Sequence, residues 1–156
     1  MILNPLILRK IYAKIPCLKN IRQMTKREIT QLSYDITGFA IKVHKELGPG
    51  LLESIYEQCL KYELESNGYD VKQQLLVNII YDDLEFESNL RVDLLVEDSI
   101  VVELKAVENI LPIHEAQLLT YMKLLHKPQG LLINFNSINL VKSMKPFVNN
   151  YFSRLE

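Results

Sequence analysis

Long apolar runs, a cysteine framework and repeated units are all missing from this sequence. No apolar stretch approaches the roughly 20 residues that cross a bilayer, so no transmembrane helix and no membrane partner are expected. The two cysteines, Cys17 and Cys59, have no metal-ligand spacing and are too few for a disulfide scaffold. A reducing, cytoplasmic setting is the expectation. Internal repeats and low-complexity segments are absent too. Acid is missing from the first 27 residues, which carry seven Lys or Arg, whereas 28–156 carries eleven bases against nineteen acids. A body that acidic lacks the broad positive surface of a tight duplex binder, although a small basic strip with metal ions suffices locally.

The leader 1–24 alternates short apolar clusters with single bases. It lacks the continuous apolar core and small-residue cleavage site of a secretory signal. Being basic and acid-free, it is similar to an organellar targeting peptide. It is equally similar to upstream sequence ahead of a start at Met24, and that second reading is the one adopted. Residues 1–27 are then a basic extension, poorly ordered or outside the core, and 28–156 forms a single domain. The length suits one core and is too short for two comfortable ones.

What is present is a helical start and a strand-rich middle. Ile29, Leu32, Ile36, Phe39, Ala40, Val43 and Leu47 recur at three- and four-residue steps, which predicts an amphipathic helix over 28–47. Gly48-Pro49-Gly50 ends it. A second helix is expected over 51–67, with Leu52, Ile55, Tyr56, Cys59, Leu60 and Leu64 inward and Gly68 closing it. Glu53 falls in its first turn, where a carboxylate favours the helix dipole. Residues 69–81 read as one strand, Asp82-Asp83 as a turn and 84–88 as a short edge piece. Pro112 suits the first turn of a helix over 113–125, on which Gln117 and Tyr121 share a face at i, i+4 spacing, with His114 one turn earlier. The apolar run 131–135 reads as a strand interior to the sheet, and 136–156 as a partial helix.

Between these lie two Val- and Leu-rich strands, Arg91–Val96 and Ile100–Lys105, joined by the turn Glu97-Asp98-Ser99. If Val96 pairs with Ile100, antiparallel register sets Asp93 opposite Glu103. Period-two alternation then gathers Asp93, Glu103 and Lys105 on one face and sends Val92, Leu94, Val96, Val102 and Leu104 to the other. Facing carboxylates repel and need a counter-charge. Lys105 supplies part, and a hard cation would supply more. Spacing alone leaves the plainer reading open, a solvated face with an ordinary ion pair. His44, Cys59 and Tyr56 have structural roles as the expectation: a helix-end hydrogen bond, core packing, and packing with a tethered hydroxyl.

Three stretches together resemble a known family. Gly50-Leu51-Leu52-Glu53-Ser54-Ile55-Tyr56 matches the pattern that names the GxxExxY proteins, and Val43-His44-Lys45-Glu46-Leu47-Gly48-Pro49 is similar to their lead-in. Arg91-Val92-Asp93, Val102-Glu103-Leu104-Lys105, His114 to Gln117, Tyr121 and residues 131–135 follow in the family's order, so the resemblance covers about 30–136. That family belongs to the PD-(D/E)xK nuclease-like superfamily, and Gln117-x3-Tyr121 resembles the motif of its RecB- and Cas4-like branch. The resemblance implies an α/β fold, a restriction-endonuclease-like core with a mixed β-sheet flanked by helices. It implies Asp93, Glu103 and Glu53 as metal ligands, Lys105 as the active-site lysine, and Gln117 and Tyr121 orienting substrate or water. Val92 departs from the pattern by standing where a proline precedes the aspartate. The implied activity is Mg²⁺- or Mn²⁺-dependent phosphodiester hydrolysis in nucleic acid, with DNA the first expectation. The alternative is a nuclease-fold binding or regulatory module without turnover.

Overall fold

Helix α1, Lys26–Leu47, opens on a reciprocal cap: Thr25 Oγ1 accepts from the Glu28 N–H at 3.3 Å, and Glu28 Oε2 accepts from the Thr25 N–H at 2.8 Å. Its stripe of Ile29, Leu32, Ile36, Ala40 and Val43 is buried, as the spacing predicts. The computed structural model describes residues 23–86 and 88–156. The expectation for the leader therefore lies outside the described residues from 1 to 22, while Lys26 and Arg27 belong to α1 rather than to an extension.

After α2, Glu53–Ser66, the order is β1 Val71–Leu76, β2 Ile79–Tyr81, β3 Leu84–Phe86, β4 Arg91–Val96, β5 Ile100–Lys105 and α3 Pro112–Leu124. Then come β6 Gln129–Asn134, a 3₁₀ turn Leu140–Ser143, β7 Met144–Val148 and the short α4 Asn150–Ser153. Five strands form one mixed sheet in the order β1-β4-β5-β6-β7, while β2 and β3 pair separately. β5 and β6 run parallel and the other neighbours antiparallel. α1 and α2 pack with Leu94, Val96, Ile100, Val102, Leu104, Leu131 and Ile133. Leu118, Tyr121 and Met122 of α3 pack with Val92, Leu95, Val101 and Leu132. This is the mixed sheet flanked by helices that the sequence implies. Gly130 lets α3 settle on β6, because a Cβ there would stand 2.7 Å from Met122 Sδ. Among the described residues no helix is long and apolar enough to cross a membrane.

Four expectations are corrected. Residues 69–81 are not one strand: β1 ends at Leu76, the Val77 N–H donates to Leu90 O at 2.9 Å, and β2 turns away to pair with β3. The tail is helical only in the 3₁₀ turn Leu140–Ser143 and the short α4, and its middle is β7, an edge strand on β6. Its apolar spacing fits either period over so short a window, and Pro146, barred from a helix interior but tolerated at a sheet edge, is the deciding residue. On α2, Leu52 and Ile55 are exposed and Glu57 is buried, because the helix begins at Glu53 and leaves Leu52 outside its first turn. Finally, Val92 packs with α3 rather than sharing the α1–α2 face with Leu94 and Val96. Alternation breaks at Asp93, for a reason visible in its partner on β1.

Candidate active site

The motif around Gly50 acts as a tether for Glu53. Gly48 and Gly50 have φ of 69° and 102°, backbone that glycine adopts without a Cβ penalty. The Tyr56 hydroxyl laces the turn, donating to Gly48 O at 2.6 Å and accepting from the Leu51 N–H at 3.1 Å. Its ring is fully buried, stacked on Phe135 with centroids 4.5 Å apart. Tyr56 thus fixes where α2 starts, and Glu53 is the first residue of that helix. His44, at the end of α1, hydrogen-bonds Ser137 O through Nε2 at 2.6 Å. Cys59 packs against the core from a half-buried position.

The β4–β5 ladder runs Val96↔Ile100, Leu95↔Val101, Leu94↔Val102, and there it stops. In the next position Asp93 Oδ2 accepts from the Leu104 N–H at 2.8 Å, a side chain standing in for a backbone partner. Asp93 is 8 % exposed and Glu103 2 %. The Lys105 ammonium donates to Glu103 Oε1 at 2.6 Å, while Glu103 Oε2 is buried with no hydrogen-bond partner among the described residues. Asn134, the register partner of Lys105 across the parallel β5–β6 pair, pins the loop that follows β5. The Asn134 side chain bonds both Val107 N–H and Val107 O, at 3.1 and 2.8 Å.

The electrostatics follow from this burial. Desolvation pushes the Asp93 carboxyl up to about 6, against the Leu104 N–H and Lys105, with Glu57 and Glu53 adding to the rise. Desolvation, then the charge on Asp93, pushes Glu103 up to about 7, against its bond to Lys105. Burial pulls Lys105 down, but Glu103, Glu53 and Asp93 outweigh it and the amine is held above its ordinary value. It is therefore an ammonium, a donor rather than a base, at neutral pH.

A cleft of about 630 Å³ opens beside Asp93, lined by Glu53, Ser54, Glu57, Gln73 and Gln74 among others. Two of these, Glu57 and Gln74, are functional candidates that sequence pattern does not single out. Glu57, 5 % exposed, has both oxygens engaged, by Gln73 Nε2 at 2.7 Å and Gln74 Nε2 at 2.8 Å. Its spacing of four from Glu53 was the available signal, masked by its place beside the apolar stripe. Gln74 Nε2 also reaches Asp93 Oδ1 at 3.4 Å. Gln117 and Tyr121 are joined to each other, Gln117 Nε2 donating to the Tyr121 hydroxyl at 3.0 Å. Tyr121 lies in the layer that contains Val101, the face from which β5 also projects Glu103 and Lys105 by alternation. Among the described residues no hydrogen bond links the Gln117–Tyr121 pair to the carboxylates. His114 caps α3, its Nδ1 accepting from the Leu111 N–H at 3.1 Å.

Among the described residues no three acidic, histidine or cysteine side chains stand close enough to form a metal cage by themselves. A hard cation such as Mg²⁺ does not require one, since it takes one or two carboxylates and keeps several waters. Asp93 and Glu103 could provide that pair. The orphaned Glu103 Oε2 fits such an ion, because a buried carboxylate oxygen without a donor is costly.

A family model described as the PD-(D/E)XK nuclease superfamily matches residues 30–147. The match reaches past Phe135 and takes in most of β7, beyond the span on which the sequence resemblance rests. No curated protein and no solved structure matches the chain.

Proposed function

Because this chain belongs to the PD-(D/E)XK nuclease superfamily, we propose that it hydrolyses phosphodiester bonds in nucleic acid, DNA before RNA, with Mg²⁺ or Mn²⁺ held by Asp93 and Glu103. The observation that carries this reading is the buried Glu103, one oxygen on the Lys105 ammonium and the other with no partner. A scaffold without turnover has no need for a carboxylate held in so costly a state. Within the superfamily, the Gly50, Glu53 and Tyr56 arrangement supports the GxxExxY group, and the Gln117–Tyr121 pair supports its RecB- and Cas4-like branch.

The roles follow from the chemistry of each group. Asp93 and Glu103 would hold the cation, and Glu53, from the first turn of α2, would add negative charge on the cleft side. Bound there, the cation supplies Lewis-acid polarisation of the phosphate and makes a water nucleophile available near neutral pH. Lys105, kept protonated, offers N–H donors to the charge that develops on the phosphoryl oxygens or to the attacking hydroxide. Gln117 donates and accepts, and the Tyr121 hydroxyl can do either, so the pair suits orientation of substrate or water.

The test is cleavage of end-labelled single-stranded and duplex DNA and of RNA with Mg²⁺ or Mn²⁺. Activity should require the metal and vanish in Asp93→Ala and Lys105→Ala, each with an unchanged far-ultraviolet circular dichroism spectrum. Equal cleavage by folded variants would trace the activity to a contaminant and remove this reading.

A further inference from the structure

Within β1 one residue breaks the strand. Gln74 has φ of 51°, a left-handed backbone that costs a non-glycine residue on the order of 1–3 kcal/mol. The other described left-handed non-glycine residues, Asp82, Glu97, Asp98 and His126, all lie in turns. The β1–β4 ladder keeps its register on both sides of the break, Gln73↔Leu94 before it and Leu75↔Val92 after it. The skipped pair is Gln74 and Asp93. No residue is inserted, so this is a local rotation of both strands rather than a bulge. Its effect is seen in Val92 and Leu94, which pack in different layers.

The rotation brings the Gln74 amide between two carboxylates, 2.8 Å from Glu57 Oε2 and 3.4 Å from Asp93 Oδ1. Ionised carboxylate oxygens only accept, so the amide nitrogen, not its oxygen, must face both. Glu57 is in turn gripped by Gln73 at 2.7 Å. Both Glu57 oxygens accept a close amide hydrogen bond, at 2.7 and 2.8 Å, whereas the amide contact on Asp93 Oδ1 is long at 3.4 Å. Glu57 is therefore the more tightly held carboxylate and serves as the anchor. The chain of contacts runs from α2 through Glu57 and Gln74 to Asp93, whose other oxygen is held by the Leu104 N–H at 2.8 Å.

We propose that Gln74 is a positioning residue of the acidic site: its strained backbone and Glu57-anchored amide fix the orientation in which Asp93 meets a divalent cation. This rests on the nuclease reading above, because it takes Asp93 to be a ligand. Strain kept at one strand position is explained if the position aims a ligand. Partners of this outer kind usually govern metal affinity by about 10–100-fold.

The informative variant is Gln74→Gly, which adopts the same φ without strain and deletes the amide. It is compared with wild type by Mn²⁺ titration, free ion followed by electron paramagnetic resonance with no nucleic acid present, and by urea denaturation. Wild type should bind Mn²⁺, and Gln74→Gly should stay folded and bind it about tenfold more weakly. Glu57→Gln, which removes the anchor's charge, should weaken binding in the same direction. Wild-type affinity in a folded Gln74→Gly would mean that the position serves the backbone alone, and the positioning role is overturned while the nuclease reading stands. Failure of wild type to bind millimolar Mn²⁺ overturns both.

Discussion

Lys105 and Glu103 share a buried ion pair of 2.6 Å in which the lysine satisfies one carboxylate oxygen and leaves the other alone. Removing the ammonium strands a carboxylate, and Glu103 has a way out: with its carboxyl already pushed up to about 7, it can take a proton. Lys105→Met should therefore destabilise the metal-free protein by roughly 3–5 kcal/mol at pH 8.5 and by much less at pH 5.5. Urea denaturation at the two pH values measures this, and equal losses would contradict a buried-charge origin. Cleavage by the same variant should fall by about 10²–10³-fold, the scale of one lost donor to developing charge.

The raised carboxyls also set the pH profile of the metal-free fold. Asp93 goes from 3.8 to about 6 and Glu103 from 4.5 to about 7. The native state thus binds more protons than the unfolded chain between about pH 4 and pH 7. Stability from these two groups is full below the lower bound and is lost as pH rises to the upper one. A tenfold difference in proton affinity between the native and unfolded states is worth about 1.4 kcal/mol, so metal-free stability should drop by a few kcal/mol from pH 4.5 to pH 8. Lys105, an amine held above its ordinary value, gives up its share only in strongly alkaline solution. Added Mn²⁺, which prefers the ionised pair, should restore stability at pH 8 and do little at pH 4.5. A metal-free protein as stable at pH 8 as at pH 4.5 would show that the carboxylates are better solvated than their burial indicates.

Much of this was legible in the sequence where local pattern and tertiary packing agree. The Val96↔Ile100 register followed from the three-residue turn and placed Asp93 across from Glu103, where the ladder gives way to the Asp93–Leu104 bond. The α1 stripe and the shared face of Gln117 and Tyr121 were readable from period, and the interior strand from its unbroken apolar run. The face of Val92 was not, because alternation assumes an unbroken strand and Gln74 breaks it with a conformation that no propensity assigns to glutamine. Glu57 escaped for a related reason. A carboxylate beside an apolar stripe reads as solvated, and its burial depends on two amides from a strand that the helix meets only in the folded state. β7 was hidden by apolar spacing common to both periods, with Pro146 as the overlooked sign.

The tyrosine of the Gly50-x-x-Glu53-x-x-Tyr56 pattern should act on stability through its oxygen. Tyr56→Phe keeps the stack on Phe135 but leaves Gly48 O and the Leu51 N–H without the partner they share. Losing both contacts in a part-buried turn should cost about 1–3 kcal/mol. The urea midpoint should fall with an unchanged m value, since the compactness of the end states is not altered. Because the hydroxyl fixes the start of α2, Mn²⁺ affinity should fall as well, more than in a variant of equal stability loss placed far from the site. Leu155→Ala, at the far end of the chain and buried against the α1 layer, serves as that control.

Glu53 has two compatible roles that one substitution separates. As a first-turn acid it interacts favourably with the helix dipole, worth roughly 0.3–1 kcal/mol. As a charge on the cleft it acts on Asp93, Glu103 and Lys105 alike. Glu53→Gln removes the charge and keeps the shape. If the dipole were its whole purpose, stability would drop by that fraction of a kcal/mol and Mn²⁺ binding would not change. Service to the site predicts the reverse weighting. The like charge that opposes ionisation of Asp93 is gone, so the metal-free protein should lose little stability or gain some at pH 8. Mn²⁺ should then bind at least tenfold more weakly, the loss typical of an outer partner of a metal site or greater. Isothermal calorimetry and urea denaturation on one preparation read both quantities, and weaker metal binding without weaker folding assigns the carboxylate to the cation.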